Sequence, residues 1–318
     1  TLLRVLSHDK ERASIRRAAY LGVGHLAERL ESRHRLQTAK AVLACLRHAQ
    51  DDFTRGLGLV AVGHLTGADI RAGGTDVLRQ TKAGTLLLGD AKDPRATVRG
   101  FAILGLGLAA RAGDAPRRPI RRFLEPARRF LLKNLEDERP RYPGKGSFIA
   151  AIGLAQAEEG RATLIQWMND ADIHAWNRAT AALSLGALGG TDRAARLALA
   201  QAATSPVDGL PAAAARSLAS LGGSLAETRL LGALDAATSK RRVAGTLLAL
   251  GRLQDPEAAP ALIAWARDET KAAAGRAHAV VALGLLADPE PRPSLSRITR
   301  DGNYPSRTKA LAEAFSLY

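Results

Sequence analysis

The chain has 318 residues, 46% hydrophobic but only 4% aromatic, and carries 46 Lys+Arg against 31 Asp+Glu for a formal net charge of +15. Its single cysteine, Cys45, excludes an internal disulfide framework and any CxxC zinc or redox site. No apolar run is long enough to span a membrane, and long β-branched alternation is absent, which argues against sheet.

In chain order the sequence reads as paired helices. Thr1–Ser7 is the end of a first helix and Ser14–Ala27 its partner. Ser32–Ala49 leads Arg55–Leu65, and a loop follows over Thr66–Gly74. Thr75–Leu88 leads Arg95–Ala110 across Asp93-Pro94, with the proline in a first helical turn, where its missing N–H costs little. Arg111–Pro119 is a second long loop. Ile120–Asn134 is helical, with Pro126 expected to kink or restart it, and Glu136–Gly144 is a third long loop. The later pairs are shorter: Arg161–Met168 with Trp176–Leu188, Arg193–Ala203 with Ala212–Leu221, Leu225–Leu234 with Arg241–Leu250, Glu257–Arg267 with Arg276–Leu285. Ser306–Leu317 reads as a final partner helix.

The partner helices share a pattern, clearest in GRAHAVVALGLLADPE at Gly275–Glu290. With Gly284 as slot zero, Gly24, Gly63, Gly107, Gly153, Gly186, Gly222 and Gly251 fill the same slot, and Ser316 is a terminal variant. Slots minus four and minus one are apolar throughout, Tyr20 adding only a hydroxyl, and they share one helical face. Slots minus two and zero are small, which lets neighbouring helices approach closely. A helical glycine costs about 1 kcal/mol against alanine, so its recurrence makes sense if close packing offsets that cost. Slot minus eight is basic at Arg16, Arg55, Arg99, Lys145, Arg178 and Arg276, with Asp9, Asp52, Asp93 and Asp172 a few residues upstream.

This Asp-turn-Arg pattern resembles that of HEAT repeats, most closely the short HEAT-like repeats of phycobilisome lyases. The resemblance extends over essentially all 318 residues. It implies an all-α fold, a right-handed HEAT-like α-solenoid of about nine helical pairs forming one unit over residues 1–318, with stacked pairs burying a continuous core. At roughly 10 Å between helices, such a stack is a curved rod on the order of 90 Å long. The resemblance also implies that Arg16, Arg55, Arg99, Arg178 and Arg276 brace adjacent repeats. Residues 1–160 hold longer, basic repeats with insertions, and 161–318 shorter, regular ones. Residues 1–150 carry 28 Lys+Arg against 15 Asp+Glu, whereas 151–318 carry 18 against 16. The charge surplus therefore lies in the first half and points to an acidic partner there.

The strongest local feature is RRPIRRFLEPARRFLLK at 117–133. Ile120, Phe123, Leu124, Ala127 and Leu131 fall at helical spacing and are expected in the core. Arg117, Arg118, Arg121, Arg122, Arg128 and Arg129, with Lys133, then form an outer basic strip. Such a strip binds an acidic protein surface, an acidic lipid or nucleic-acid phosphates, or it is only a solvated face. Exposed aromatics for base stacking are sparse, Tyr142 being the one candidate, so sequence-specific single-strand binding is not expected.

Other features read as structural. Gly56/Gly58 and Gly105/Gly107 follow no strand and sit inside helices, so they are packing glycines rather than a dinucleotide loop. His25 and His64 occupy one repeat slot in GHL, but no His-Glu dipeptide of the HEAT-type di-iron hydroxylases exists, and they are read as helix-flank residues. Trp167, Trp176 and Trp265 are read as packing and capping residues. Trp167, Asp170, Asp172 and Trp176 match no motif of the HEAT-like DNA glycosylases that carries over. No Ser-His-Asp or Cys-His set assembles.

The expected function is a non-enzymatic protein–protein interaction scaffold, part of a larger assembly, with a protein partner of acidic surface held by the concave face and the N-terminal loops. No metal or cofactor is expected. The alternative is a nucleic-acid-associated solenoid, and a remoter one an enzyme of the lyase or DNA-glycosylase kind. The excess of Arg over Lys, 37 against 9, agrees with a high-GC bacterial genome. The chain starts at Thr1 without a methionine and is expected to be a trimmed segment, either cytoplasmic or exported.

Overall fold

An apolar stripe at slots minus four and minus one cannot be buried by one helix pair alone, so the pairs stack. The computed structural model describes residues 13–49, 51–111, 118–137, 145–190, 192–203, 205–207, 209–221, 224–253 and 255–287. Among these, every regular element is helical.

Each repeat has a leading helix and a partner helix. The partner helices are α1 (Ala13–Leu26), α3 (Asp52–Arg71), α6 (Ala96–Ala110), α8 (Gly146–Leu154), α10 (Ala175–Leu188), α12 (Leu210–Leu221), α14 (Lys240–Arg252) and α16 (Ala273–Ala287). The leading helices are α2 (Ser32–Leu46), the broken pair α4 (Asp76–Thr81) and α5 (Ala83–Asp90), α7 (Arg118–Asp137), α9 (Arg161–Asn169), α11 (Arg193–Ala202), α13 (Ser224–Asp235) and α15 (Ala259–Arg267). Among the described residues, each partner helix from α3 onward packs on its own leading helix, and consecutive partner helices pack on one another. Leading helices touch one another far less. The partner helices form the more closely packed layer, here termed the inner layer.

Backbone contact explains the small slots. A Cβ on Gly63 would strike the backbone of Gly105, one on Gly107 would lie 2.7 Å from the Ala151 backbone, and one on Gly153 would lie 2.7 Å from Ser184. The same holds for Gly186 against Ser217 and Gly251 against Ala282. Slot zero of one repeat thus faces slot minus two of the next. This pairing corrects one assignment. Ser217 takes the minus-two place, so Ala219 occupies slot zero in α12, not Gly222, which lies outside the described residues. Ala215 and Leu218 then fill minus four and minus one, and both are buried.

Four further expectations need correction. The loop expected from Thr66 is helical to Arg71, because Thr66, Asp69 and Ile70 are buried. The helix stops where Gly73 adopts φ +75 and Gly74 donates its N–H to the Asp69 carbonyl at 2.8 Å. The helix expected over Thr75–Leu88 breaks at Lys82, which lies in the left-handed region with φ 56 and ψ 28. Pro126 does not restart the helix, since α7 runs as one helix over Arg118–Asp137. Pro126 faces solvent, where water reaches the carbonyl its missing N–H leaves free. Trp176, read as a packing residue, is 71% exposed. The final helix expected over Ser306–Leu317 lies outside the described residues.

Candidate functional site

Two surfaces stand out, one on each layer. The basic strip lies on the leading layer. Ile120, Phe123, Leu124, Ala127 and Leu131 are buried as their spacing requires, with Phe123 against Gly84 of α5. Arg122, Arg129 and Lys133 point to solvent, and no carboxylate among the described residues pairs with them. Arg121 is also exposed but meets Glu125 at 2.6 Å one turn away. Arg128 is half-buried, its Nε enclosed without a hydrogen-bond partner. Arg118 opens α7, and Arg117 lies outside the described residues. Lys92 extends the basic surface from the neighbouring repeat, its Nζ 5.8 Å from the Phe130 ring centre.

The inner layer carries a different surface, which the sequence reading missed. Slot minus three holds Leu21, Val60, Leu104, Ala150, Leu183, Arg216, Leu248 and Val281. Seven of these eight are apolar, yet none is buried. Leu21, Leu183 and Val281 are 48%, 41% and 53% exposed. Slot minus three lies beside the core slot minus four, so its apolar residues pass for core. The signal was a third apolar slot beside the two that already fill the core face. Slot minus ten adds the exposed aromatics Phe53 and Trp176. Phe53 packs edge-on against Phe101 at 5.2 Å, with the Arg17 guanidinium 4.9 Å from its ring centre.

The slot arginines hold the frame in two ways. Arg55 crosses to the next repeat, pairing with Asp90 at 2.7 Å. Arg99 and Arg178 instead cap carbonyls of their own repeats, Asp93 and Met168, both at 2.9 Å. The inter-repeat role expected of these two is thus an intra-repeat one, because the guanidinium reaches the end of its own leading helix first. Arg16 and Arg276 are half-buried. Other charges brace the repeats. Arg17 meets Asp51 at 2.9 Å, Arg95 meets Asp52 at 2.8 Å, and Arg71 pairs with Glu28.

These contacts set the proton affinities. Burial pushes the Asp51 carboxyl up, but the Thr54 hydrogen bonds and Arg17 outweigh it and hold it at about 2. The Arg95 hydrogen bond holds Asp93 at about 2. Burial lowers His64, and the neighbouring His25 lowers it further. His25 is exposed and His64 half-buried behind Gly24. Among the described residues, no three His, Cys, Asp or Glu side chains converge as a metal site would need, and no helix is long and apolar enough to cross a membrane.

The family model and the phycocyanin lyase structure agree with this architecture. Residues 227–316 match the family model of HEAT repeats. Among solved structures, the chain is similar to the complex of CpcE and CpcF of phycocyanin lyase from Nostoc sp. PCC7120. The identity is 16% and the TM-score 0.50, with 90% of this chain and 92% of that chain covered. Human deoxyhypusine hydroxylase, in complex with glycerol, is matched at 17% identity and a TM-score of 0.36 over 90% of this chain and 94% of that chain. No curated protein matches the sequence. The chain is a HEAT-like α-solenoid, with HEAT repeats recognised over residues 227–316.

Proposed function

We propose that this chain is a non-enzymatic scaffold that holds a protein partner along its inner layer. The observation that carries the reading is the slot-minus-three stripe. Single exposed apolar residues are ordinary on any surface. An apolar residue recurs at one slot in seven of eight repeats, exposed in three and half-buried in four, and exposed apolar patches mark interaction sites. Exposed aromatics at Phe53 and Trp176 are the residue types that anchor interfaces. The exposed faces of these side chains lie against water. A partner that covers them gains about 25 cal/mol for each Å² of apolar area removed from water.

The test is capture of partners from an extract of the source organism. Bait is the wild-type chain, or one carrying Leu21→Ser, Leu183→Ser and Trp176→Ser. A partner that survives raised salt and is lost from the variant supports the reading. Equal capture by both proteins rejects the stripe.

A second reading rests on the unpaired Arg122, Arg129 and Lys133, which suit the phosphates of a nucleic acid. Binding of that kind falls steeply with salt, with a log–log slope of about −0.9 per phosphate contact. A duplex titrated against wild type and an Arg122→Ser/Arg129→Ser variant decides it. Sub-micromolar, salt-steep binding lost in the variant would put nucleic acid first.

A further inference from the structure

We propose that the gap opened by the break at Lys82 is a seat for a short acidic amphipathic helix of a protein partner. A straight leading helix in the third repeat would run beside α2 over its whole length. The left-handed turn at Lys82 diverts it instead. The α4 half stays packed on α2, whereas α5 turns to pack on α6 and α3. Between α2 and α5 this leaves an open groove of about 720 Å³.

The lining sets the occupant. Leu43, Leu46 and Leu86 form an apolar floor, and Lys40, Arg47 and Lys82 stand exposed around it. The one carboxylate in the lining, Asp90, is taken by Arg55 at 2.7 Å. Lys40 reaches only the neutral Gln80 side chain, at 3.0 Å. Arg47 and Lys82 meet no carboxylate among the described residues. Free phosphate would use the cations and leave the leucines wet. A nucleic acid would find no aromatic in the groove on which to stack a base. A helix with leucines on one face and carboxylates beside them satisfies both, and the walls are themselves helices, as in helix-in-groove recognition.

This inference rests on the scaffold reading for its acidic protein partner, but it names a surface on the opposite layer from the inner stripe. The test uses the full chain and a fluorescent synthetic peptide with leucines at helical i, i+3, i+4 and i+7 spacing and glutamates elsewhere. A counterpart carries lysine for each glutamate. Wild type should bind the glutamate peptide and not the lysine one. Lys40→Glu/Lys82→Glu should weaken binding about tenfold or more, a change that corresponds to about 1.4 kcal/mol. Arg47→Glu alone should weaken it less, and Arg122→Ser/Arg129→Ser on α7 should leave it unchanged. All these sites are exposed, and circular dichroism verifies that each variant is folded.

Equal affinity in the groove variants overturns the proposal. So does loss of binding in the α7 variant, or competition by inorganic phosphate as strong as by unlabelled peptide. The Leu21→Ser/Trp176→Ser/Leu183→Ser variant separates the two readings. If it captures partners as well as the wild type does and still binds the peptide, the stripe fails and the groove stands. If the wild type captures a partner through the stripe but ignores the peptide, the groove fails and the scaffold stands.

Discussion

Gly107 and Gly232 are both helical glycines, and opposite forces govern them. A Cβ on Gly232 meets nothing within 4 Å, so only backbone entropy counts there. Gly232→Ala should stabilise the protein by up to about 1 kcal/mol. At Gly107 the same Cβ lies 2.7 Å from the backbone of Ala151, which cannot yield without moving α8. Gly107→Ala should therefore cost about 1–3 kcal/mol despite the gain in propensity. Urea midpoints of the two variants measure this, and a stabilised Gly107→Ala would deny the close approach. Lys82 is strained for another reason, its φ of 56 being unfavourable for any residue with a Cβ. Lys82→Gly should raise stability by about 1 kcal/mol while removing a groove cation. Proton linkage adds a prediction whose sign follows from Asp51 and Asp93. Both are held at about 2, below the usual 3.8. Their contribution is present above the usual value and is lost as the pH falls from about 3.8 toward 2. Thermal midpoints should drop through that window, and less so in an Asp51→Asn/Asp93→Asn variant.

Among elements, the junction of α2 and the end of α3 depends on one buried pair. Arg35 and Asp69 are 5% and 1% exposed, with Arg35 Nε 4.0 Å from Asp69 Oδ1. Arg35 also donates to the Ala68 carbonyl at 3.0 Å, and Asp69 accepts the Val77 N–H at 3.1 Å. Burial raises the proton affinity of Asp69, so its carboxylate depends on that cation. Arg35→Met should cost about 3 kcal/mol by leaving the charge unpaired. Adding Asp69→Asn should recover part of the loss, and no recovery in the double variant would show that packing alone was at stake.

The sequence disclosed these elements unevenly. The partner helices were legible because their slots are local: three- and four-residue spacings mark the core face, and small residues mark the neighbour. The exposure of Arg122 and Arg129 followed from the same spacing. The α3 overrun was hidden, since Thr66, Gly67 and Asp69 resemble a loop until Asp69 is seen closed over by Arg35 and Val77. The break at Lys82 has no local mark, because lysine has no preference for a left-handed turn and tertiary packing imposes it. The Gly222 misassignment came from a glycine pair just past the helix end that imitates the slot. The inner stripe was hidden because an apolar residue does not show which way it faces.

For the whole molecule, the two layers divide the chemistry. The inner layer packs backbone to backbone through glycine, alanine and serine and presents apolar side chains. The leading layer of the second to fourth repeats carries the cations of the groove and of α7. Contacts through the first should tolerate salt, and contacts through the second should weaken within the screening range of ordinary buffers. The most direct measurement is oxidative side-chain footprinting of the chain alone and with its captured partner. Leu21, Phe53, Trp176 and Leu183 are the exposed reporters on the inner layer, and Phe130 and Leu132 report on α7. The scaffold account predicts protection of the inner reporters with α7 unchanged. Protection confined to α7, with Trp176 and Leu183 as reactive as in the free chain, would contradict it.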